Sequence, residues 1–364
     1  MNRPPEPGAT ALAPKLSAPQ HRPRPLPLFL AMLRSETAQE PARAARALEG
    51  LRRYQEARRP PLPAPKPAIA SLCGATLRAY GEPPGSGDDG AAVLFVPSLI
   101  NPPNILDLGA ETSLLNWLAA RGHRPLLLDW GWDVETRRNL SVAGHVEQIL
   151  LPLIETLESP PALVGYCLGG TMALAAAARG KVRNVATIAA PWHFAAYPAP
   201  ARALLASLWT QGKPLAERLG AFPMEMLQSA FWSLDPARTI AKFERFATLD
   251  PASPEAHGFV LLEDWANDGP PIGEAAAREL FESFFAEDRP GSGRWDVAGR
   301  PVDPAALSCP FLNIVSTTDR IVPAASVAAC GERLEIPLGH VGMVVGARGR
   351  AQLWQPLSDW LFRT

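Results

Sequence analysis

One cysteine of this sequence stands where a nucleophile could be presented: Cys167, within Gly165-Tyr166-Cys167-Leu168-Gly169. An apolar run ends just before it and a stretch of small residues follows it, which predicts a strand running directly into a helix. Flanking side chains would collide on such a strained turn, so glycines two positions to either side fit a nucleophile elbow. The thiol would lie at the positive end of the helix, which favours the thiolate. The backbone N–H of Leu168 is then the expected first oxyanion donor.

Two further side chains follow later strands in the order that such an elbow requires. Asp319 comes after the apolar run 311–316, and His340 comes after the run 334–338. Taken singly, either could be an ordinary loop residue, and Cys167 could be a buried cysteine at a strand end. Their joint order, nucleophile then acid then histidine, is the one that the elbow predicts. We therefore predict a triad in which His340 is the general base and Asp319 fixes its tautomer and orientation.

The elements that must position these residues alternate between strand and helix. Six short apolar runs predict strands, at residues 93–99, 125–130, 162–166, 182–189, 311–316 and 334–338. Continuous apolar runs indicate strands that are buried on both faces, as in a parallel sheet. Helical stretches lie between or after them, at residues 113–121, 142–157, 169–179 and 351–362. This order predicts a doubly wound, mostly parallel α/β sheet. Together with the elbow and the order of Asp319 and His340, it indicates an α/β-hydrolase fold.

The regular alternation breaks in a segment rich in Trp, Phe, Glu and Pro. We predict an inserted helical lid at residues 192–300, within a core formed by residues 69–191 and 301–364. The aromatic residues of the lid would exclude water from the site, or would simply pack the lid itself. Residues 1–68 are predicted to form a proline-rich tail with an amphipathic helix, interrupted near Pro41. That helix either packs on the main domain or docks on a partner.

Composition excludes several classes of function. The net charge of −1 offers no basic field for nucleic acid. No apolar run has the length of a transmembrane segment, and the chain does not start with a signal-peptide pattern, so a cytoplasmic protein is expected. The four cysteines form neither a CxxC pair nor a Cys/His cluster, so we expect thiols, with no metal and no cofactor.

A family resemblance begins where the first predicted strand ends. Val96-Pro97-Ser98-Leu99-Ile100-Asn101 and Asn104-Ile105-Leu106-Asp107-Leu108 strongly resemble a signature of polyhydroxyalkanoate synthases. Further similar segments follow in the same order, namely Leu128-Asp129-Trp130-Gly131, the Cys167 box, Lys181-Val182-Arg183-Asn184-Val185, Asn267-Asp268-Gly269-Pro270-Pro271, Cys309-Pro310-Phe311 and Gly339-His340-Val341-Gly342. The likeness covers roughly residues 70–362, and the short chain resembles the catalytic subunit of the short, two-component synthases.

The resemblance implies a polymerase that builds a polyester from (R)-3-hydroxyacyl-CoA. Cys167, Asp319 and His340 match the catalytic residues of that family one for one. The loop of Leu99, Ile100 and Asn101 would supply the second oxyanion donor and substrate contacts. A partner subunit or a second copy of the chain is implied, as is a location in the cytoplasm or on the surface of polyester granules.

Three departures from the family pattern concern the loops around the site. Pro102-Pro103-Asn104 replaces the usual residues after Ile-Asn, Ser98 replaces a proline, and the segment from Asp319 to His340 is compressed, which predicts a truncated helix. Two alternatives stay open. The box GYCLGG also resembles that of dienelactone hydrolase, and a hydrolase of thioesters, lactones or stored polyester could use the same triad. A non-catalytic, granule-associated homologue is the other alternative.

Overall fold

A computed structural model describes residues 22–59, 65–81 and 92–364 of the chain. Residues 1–21 and 60–64 of the predicted proline-rich tail lie outside the described residues, as do residues 82–91. No helix within the described ranges is both long and apolar enough to cross a membrane.

Eight strands form one sheet, in the spatial order β1-β2-β4-β3-β5-β6-β7-β8. Numbered in chain order, they are β1 Ala68–Leu72, β2 Ala75–Ala79, β3 Ala92–Val96, β4 Arg124–Asp129, β5 Ala162–Tyr166, β6 Asn184–Ile188, β7 Phe311–Ser316 and β8 Glu332–Ile336. Strand β2 is antiparallel to both of its neighbours, and all other neighbouring strands are parallel. The six predicted strands are confirmed with ends shifted by a few residues. The β1–β2 hairpin was not predicted.

The helices flank the sheet, fill the long insertion or precede the first strand. The α-helices are α1 Leu26–Glu36, α2 Pro41–Glu56, α3 Leu114–Ala119, α4 Val142–His145, α5 Leu151–Glu155, α6 Leu168–Ala177, α7 Ala199–Leu219, α8 Met224–Ser233, α9 Pro236–Phe246, α10 Pro254–Ala266, α11 Glu274–Arg278, α12 Gly342–Val345 and α13 Gln355–Arg363. Three π-helical segments adjoin them, at Val146–Leu150, Glu279–Ala286 and Arg350–Trp354.

Alternate residues of the parallel strands belong to two apolar cores, one on each face of the sheet. Leu94 and Val96 of β3 belong to a core with α4, α5 and α6, whereas Val93 and Phe95 of the same strand belong to a core with α3, α12 and α13. The two sets lie on opposite faces of the sheet because side chains of a strand point alternately to either side. Both sets are buried because helices cover both faces. The sheet is therefore covered on both sides, as the continuous apolar runs predicted.

The insertion between β6 and β7 is mainly helical, and we call residues 192–300 the lid. Helices α7 to α11 lie within it. Strand pairing in the lid is limited to two short ladders, Ala221–Phe222 with Ile272–Gly273 and Asp296–Val297 with Arg300–Pro301. Several of its aromatic residues pack in its own interior, since Phe281 and Phe284 are buried beside Trp209 and Trp295 respectively.

The first two helices pack on the lid rather than on the sheet, and we call α1 and α2 the N-terminal pair. Phe29, Leu51 and Tyr54 of this pair share a buried apolar cluster with the lid residues Trp232 and Phe243. The helices α2 and α9 approach closely at Gly50, where an added Cβ would lie 2.7 Å from the carbonyl carbon of Phe243. The predicted interruption near Pro41 is confirmed, because α1 ends at Glu36 and α2 begins at Pro41.

Candidate active site

Cys167 occupies the turn between β5 and α6. Its backbone has φ 55° and ψ −131°, a left-handed φ that is strained for a residue with a side chain. The turn is held on both sides: the N–H of Cys167 donates to the carbonyl of Ile188 at 3.0 Å, and the N–H of Gly170 donates to the carbonyl of Cys167 at 2.8 Å. This backbone is the strained elbow that the glycine spacing predicted.

Glycine is required on both sides of the elbow because backbone atoms leave no space. A Cβ on Gly169 would lie 2.5 Å from the carbonyl oxygen of Pro97 and closer still to that of Val96. A Cβ on Gly165 would lie 2.6 Å from the carbonyl oxygen of Gly169. The predicted role of these two glycines is confirmed: Gly169 lets α6 start directly against the end of β3, and Gly165 lets it start directly against β5.

Asp319 and His340 meet beyond the ends of β7 and β8. The Nδ1 atom of His340 lies 2.6 Å from Oδ2 of Asp319, and the two side chains are 8% and 0% exposed. The other carboxylate oxygen of Asp319 accepts the backbone N–H groups of Ile321 and Val322, at 2.7 and 3.0 Å. With all these bonds the carboxylate has one orientation, and it leaves Nε2 of His340 as the nitrogen available to a nucleophile.

The electrostatic setting of His340 favours its protonated form. Burial lowers the pKa of His340, but the negative charges of Asp319 and Cys167 raise it by more, so the net direction is upward. The ring of Tyr166 packs against the imidazole with its centroid 5.0 Å away, and the Tyr166 hydroxyl donates to the His340 carbonyl at 3.3 Å. An imidazolium next to a thiolate is the charge state that a cysteine nucleophile needs.

The loop that carries Asp319 is short, as the compressed spacing predicted. Between β7 and β8 its only helical piece is the 3₁₀ turn Ala324–Ser326. Contacts from the beginning of the lid hold this turn, since the N–H groups of Trp192 and His193 donate to the carbonyl of Ser326 at 2.6 and 2.7 Å. Backbone hydrogen bonds from the lid therefore hold the loop where a longer helix was absent from the sequence. His193 takes part through its backbone N–H.

The segment after β3 (residues 97–102), which we call the β3 loop, has three residues predicted to bind substrate or an oxyanion. The N–H of Ile100 already donates to the Ser98 hydroxyl at 3.0 Å, which makes Ile100 the weakest oxyanion donor of the three. Asn101 has a left-handed φ of 62°. Leu99 borders a small cavity of about 20 Å³ that is partly open to solvent. Leu168 is the first residue of α6, where helix geometry provides no intrahelical acceptor for its N–H.

Two buried residues near these elements were not singled out from the sequence. Tyr197 lies in the lid, and its pKa is raised by burial and by the charges of Cys167 and Asp319. His145 lines the cavity beside Leu99 and is 3% exposed. Neither position stands in a motif, so no local signal in the sequence could have identified it.

The described residues lack the side-chain arrangements that bind metal ions. Within the described ranges, no group of three His, Cys, Asp or Glu side chains is arranged to hold a metal ion. Burial raises the pKa of Cys309 and of Cys330, and Cys73 is exposed in the β1–β2 hairpin.

A model of the alpha/beta hydrolase family matches residues 93–350. The chain belongs to this family. The match spans the elbow and both later strands of the site. A solved structure of a hydrolase from Pseudomonas aeruginosa PA01 shares the fold, with a TM-score of 0.50 and 17% identity, and the alignment covers 82% of this chain and 97% of that one.

Curated relatives of this alpha/beta hydrolase are named poly(3-hydroxyalkanoate) polymerase subunit PhaC. The one from Allochromatium vinosum is 27% identical over 317 residues, which are 82% of this chain and 88% of that one. The one from Thiocystis violacea is 26% identical over 316 residues, with the same coverage. The one from Synechocystis is 26% identical over 292 residues, 74% of this chain and 77% of that one. The resemblance that the motifs predicted is thereby confirmed.

Proposed function

We propose that this protein is a poly(3-hydroxyalkanoate) synthase that transfers the acyl group of (R)-3-hydroxyacyl-CoA to a growing polyester through an acyl-Cys167 intermediate. The observation that carries the proposal is the left-handed turn that presents Cys167 at the head of α6, together with the 2.6 Å contact between His340 and Asp319. The similarity to polymerase subunits over most of the chain supports transfer to a hydroxyl rather than to water.

The first half-reaction forms the thioester on Cys167. His340 takes the thiol proton at Nε2, and the thiolate adds to the carbonyl carbon of the CoA thioester. The oxyanion that forms is held by the N–H of Leu168 and by a second N–H from the β3 loop. The C–S bond to CoA then breaks, and CoA leaves with the proton from His340. Asp319 keeps the imidazolium oriented through Nδ1 and stabilises its charge.

The second half-reaction forms the ester bond. His340 accepts the proton of a hydroxyl on the growing chain or on a second acyl unit, and that oxygen attacks the acyl-Cys167 carbonyl. The C–S bond breaks, the thiol is restored with the proton from His340, and the chain is longer by one unit. A cysteine suits this cycle because thioester exchange is nearly isoenergetic, so the intermediate keeps its reactivity.

The test is to follow two products with one preparation of protein. The purified chain is incubated with (R)-3-hydroxybutyryl-CoA, CoA release is measured, and the product is analysed as polymer or free acid. Because the short synthases that the chain resembles use a partner subunit, the assay is repeated with such a subunit added. Cys167→Ala should abolish CoA release, whereas the matched control Cys73→Ser removes an exposed thiol and should leave it intact.

Each result decides between named functions. Polymer that depends on Cys167 supports the synthase. Free acid alone, with Cys167 required, replaces it by a hydrolase on the same triad. CoA release that survives Cys167→Ala contradicts the assignment of the nucleophile. If the intact chain releases no CoA in either form of the assay, the non-catalytic homologue becomes the better account.

A further inference from the structure

The β3 loop is fixed by the end of lid helix α10. The side-chain amide of Asn101 donates to the carbonyls of Ala266 and Asp268, at 3.3 and 3.2 Å. The indole N–H of Trp265 donates to the carbonyl of Pro102 at 2.8 Å. Because Asn101 has a left-handed φ outside any strand or helix, these contacts from the lid oppose its relaxation to an ordinary conformation.

The same end of α10 is fixed from the other side by the N-terminal pair and its flanking residues. The Asp264 carboxylate accepts the Tyr54 hydroxyl at 2.8 Å and two N–H groups of Arg59 at 2.7 and 2.9 Å. Arg22 lies 3.3 Å from the same carboxylate. Asp264 is 20% exposed, so these charge-assisted bonds are better protected from solvent than those of an open surface pair.

Asp264 and Trp265 are adjacent, so the two sets of bonds meet within one helical turn. The residues on one side of that turn belong to the first 59 of the chain, and those on the other belong to the β3 loop. Asp268, whose carbonyl accepts the Asn101 amide, is itself 3.4 Å from Arg24. A shift of the last turn of α10 would therefore be transmitted to both anchor points of the β3 loop.

We propose that Asp264 is a positioning residue through which the N-terminal pair holds the β3 loop in the geometry needed to bind an oxyanion. This inference rests on the proposed acyl transfer, in which that loop supplies the second donor. An oxyanion hole is effective because its donors are already aimed at the place where charge develops. Loosening the loop should thus slow the step that forms an oxyanion and spare steps that form none.

The test compares two variants that remove the same charge from the same interface. In Asp264→Asn the carboxylate that joins the N-terminal pair to the end of α10 is lost. The matched control is Glu244→Gln on α9: Glu244 is 15% exposed and lies 2.6 Å from Arg43 of α2. Each variant removes one carboxylate that contacts the N-terminal pair, but Glu244→Gln leaves the bonds of Asp264 in place. The difference is that Glu244 lies on α9, one lid helix before the one that holds the β3 loop.

Two reactions of Cys167 separate loop positioning from damage to the nucleophile. Acylation is followed as the burst of CoA release from (R)-3-hydroxybutyryl-CoA. Alkylation by iodoacetamide, followed by peptide mass spectrometry, needs the thiolate but forms no oxyanion. We expect Asp264→Asn to slow acylation by about tenfold or more, yet less than the roughly 100- to 1000-fold lost when an oxyanion donor is deleted outright. Its alkylation rate should match that of the unaltered chain, and Glu244→Gln should change neither rate.

Hydrogen exchange of the β3 loop gives a readout that does not need activity. Exchange of its backbone amides should be faster in Asp264→Asn than in Glu244→Gln. Equal exchange in the two variants, equal slowing of acylation in both, or parallel loss of acylation and alkylation in Asp264→Asn would each overturn the inference. If the unaltered chain shows no Cys167-dependent CoA release, the proposed function fails, while hydrogen exchange still decides whether Asp264 positions the loop.

Discussion

Asp319 and His340 form a buried, hydrogen-bonded pair. Nδ1 of the imidazole lies 2.6 Å from Oδ2 of the carboxylate, and neither side chain is more than 8% exposed. A buried charge is costly unless it is paired, so the carboxylate is tolerated there because the imidazole and two backbone N–H groups satisfy it. The consequence for chemistry is a fixed tautomer. The Asp319 carboxylate holds the proton on Nδ1, which leaves Nε2 for the base role proposed for His340.

Asp319→Asn should keep this geometry and reverse the tautomer. The Asn oxygen can still accept the N–H groups of Ile321 and Val322, while its amide would donate to Nδ1 and move the imidazole proton to Nε2. We expect CoA release to fall by about 100- to 10,000-fold, since an inverted triad histidine cannot act as base. Circular dichroism on heating should show a folded protein, and a variant that retains full turnover would contradict the role of Asp319.

Gly169→Ala should destabilise the fold at the point where α6 meets β3. The added Cβ would stand against backbone carbonyls that no rotamer change can move, which costs about 1–3 kcal/mol or more. Gly258→Ala on α10 is the control, because no atom beyond its chain neighbours and the backbone of its own helix lies within 4 Å of its Cβ position, and alanine favours a helix by about 0.5–1 kcal/mol. Urea denaturation should give opposite signs for the two changes in the free energy of unfolding.

Much of the core, and the contact between Asp319 and His340, could be predicted from the sequence because the signals are local. A strand buried on both faces is a continuous apolar run, as in Phe311–Ser316, whatever lies elsewhere in the chain. The glycines around Cys167 report a turn that spans only five residues. The order of Asp319 and His340 then follows from the topology of a single fold.

The rest depends on contacts between distant parts of the chain. Arg59 and Asp264 are 205 residues apart, and nothing at either position marks the other as its partner. Strands β1 and β2 escaped prediction because they mix exposed, half-buried and buried residues at the sheet edge and so lack a continuous apolar run. Both residues of their turn, Cys73-Gly74, have a left-handed φ. Asn-Gly or Asp-Gly would have predicted such a hairpin turn, whereas Cys-Gly does not.

The stability of the fold should fall in mild acid because of His145. Burial lowers the pKa of this imidazole to about 4, aided by the charge of Arg137. In the unfolded chain the pKa of histidine is about 6.5, so the unfolded state binds more protons between these values and unfolding becomes easier as the pH drops from about 6.5 to about 4. The loss attributable to this one group is about 3 kcal/mol.

His145→Asn isolates this contribution. The Asn amide can replace the ring N–H that faces the Ser141 carbonyl, which lies 2.7 Å from Nδ1, but it does not titrate. Urea denaturation at several pH values should show a smaller loss of stability in the variant below pH 6.5. His340 acts in the opposite direction, because its raised pKa contributes stability that is lost as the pH rises through the folded value. If the free energy of unfolding of the variant depended on pH as that of the unaltered chain does, His145 would not be buried as a neutral ring.

Gly50→Ala should separate the N-terminal pair from the lid. Alanine is the better helix former by about 1 kcal/mol, but its Cβ would stand against the Phe243 carbonyl, a backbone group that cannot move aside without shifting α9. The clash outweighs the propensity, so backbone amides of α2 should exchange with solvent about five- to a hundredfold faster. Leu48→Ala, on the exposed face of the same helix at 46% exposure, is the control and should leave exchange unchanged. If the N-terminal pair positions the β3 loop, Gly50→Ala should also slow acylation of Cys167 without slowing its alkylation, and faster exchange with unaltered acylation would separate docking from catalysis.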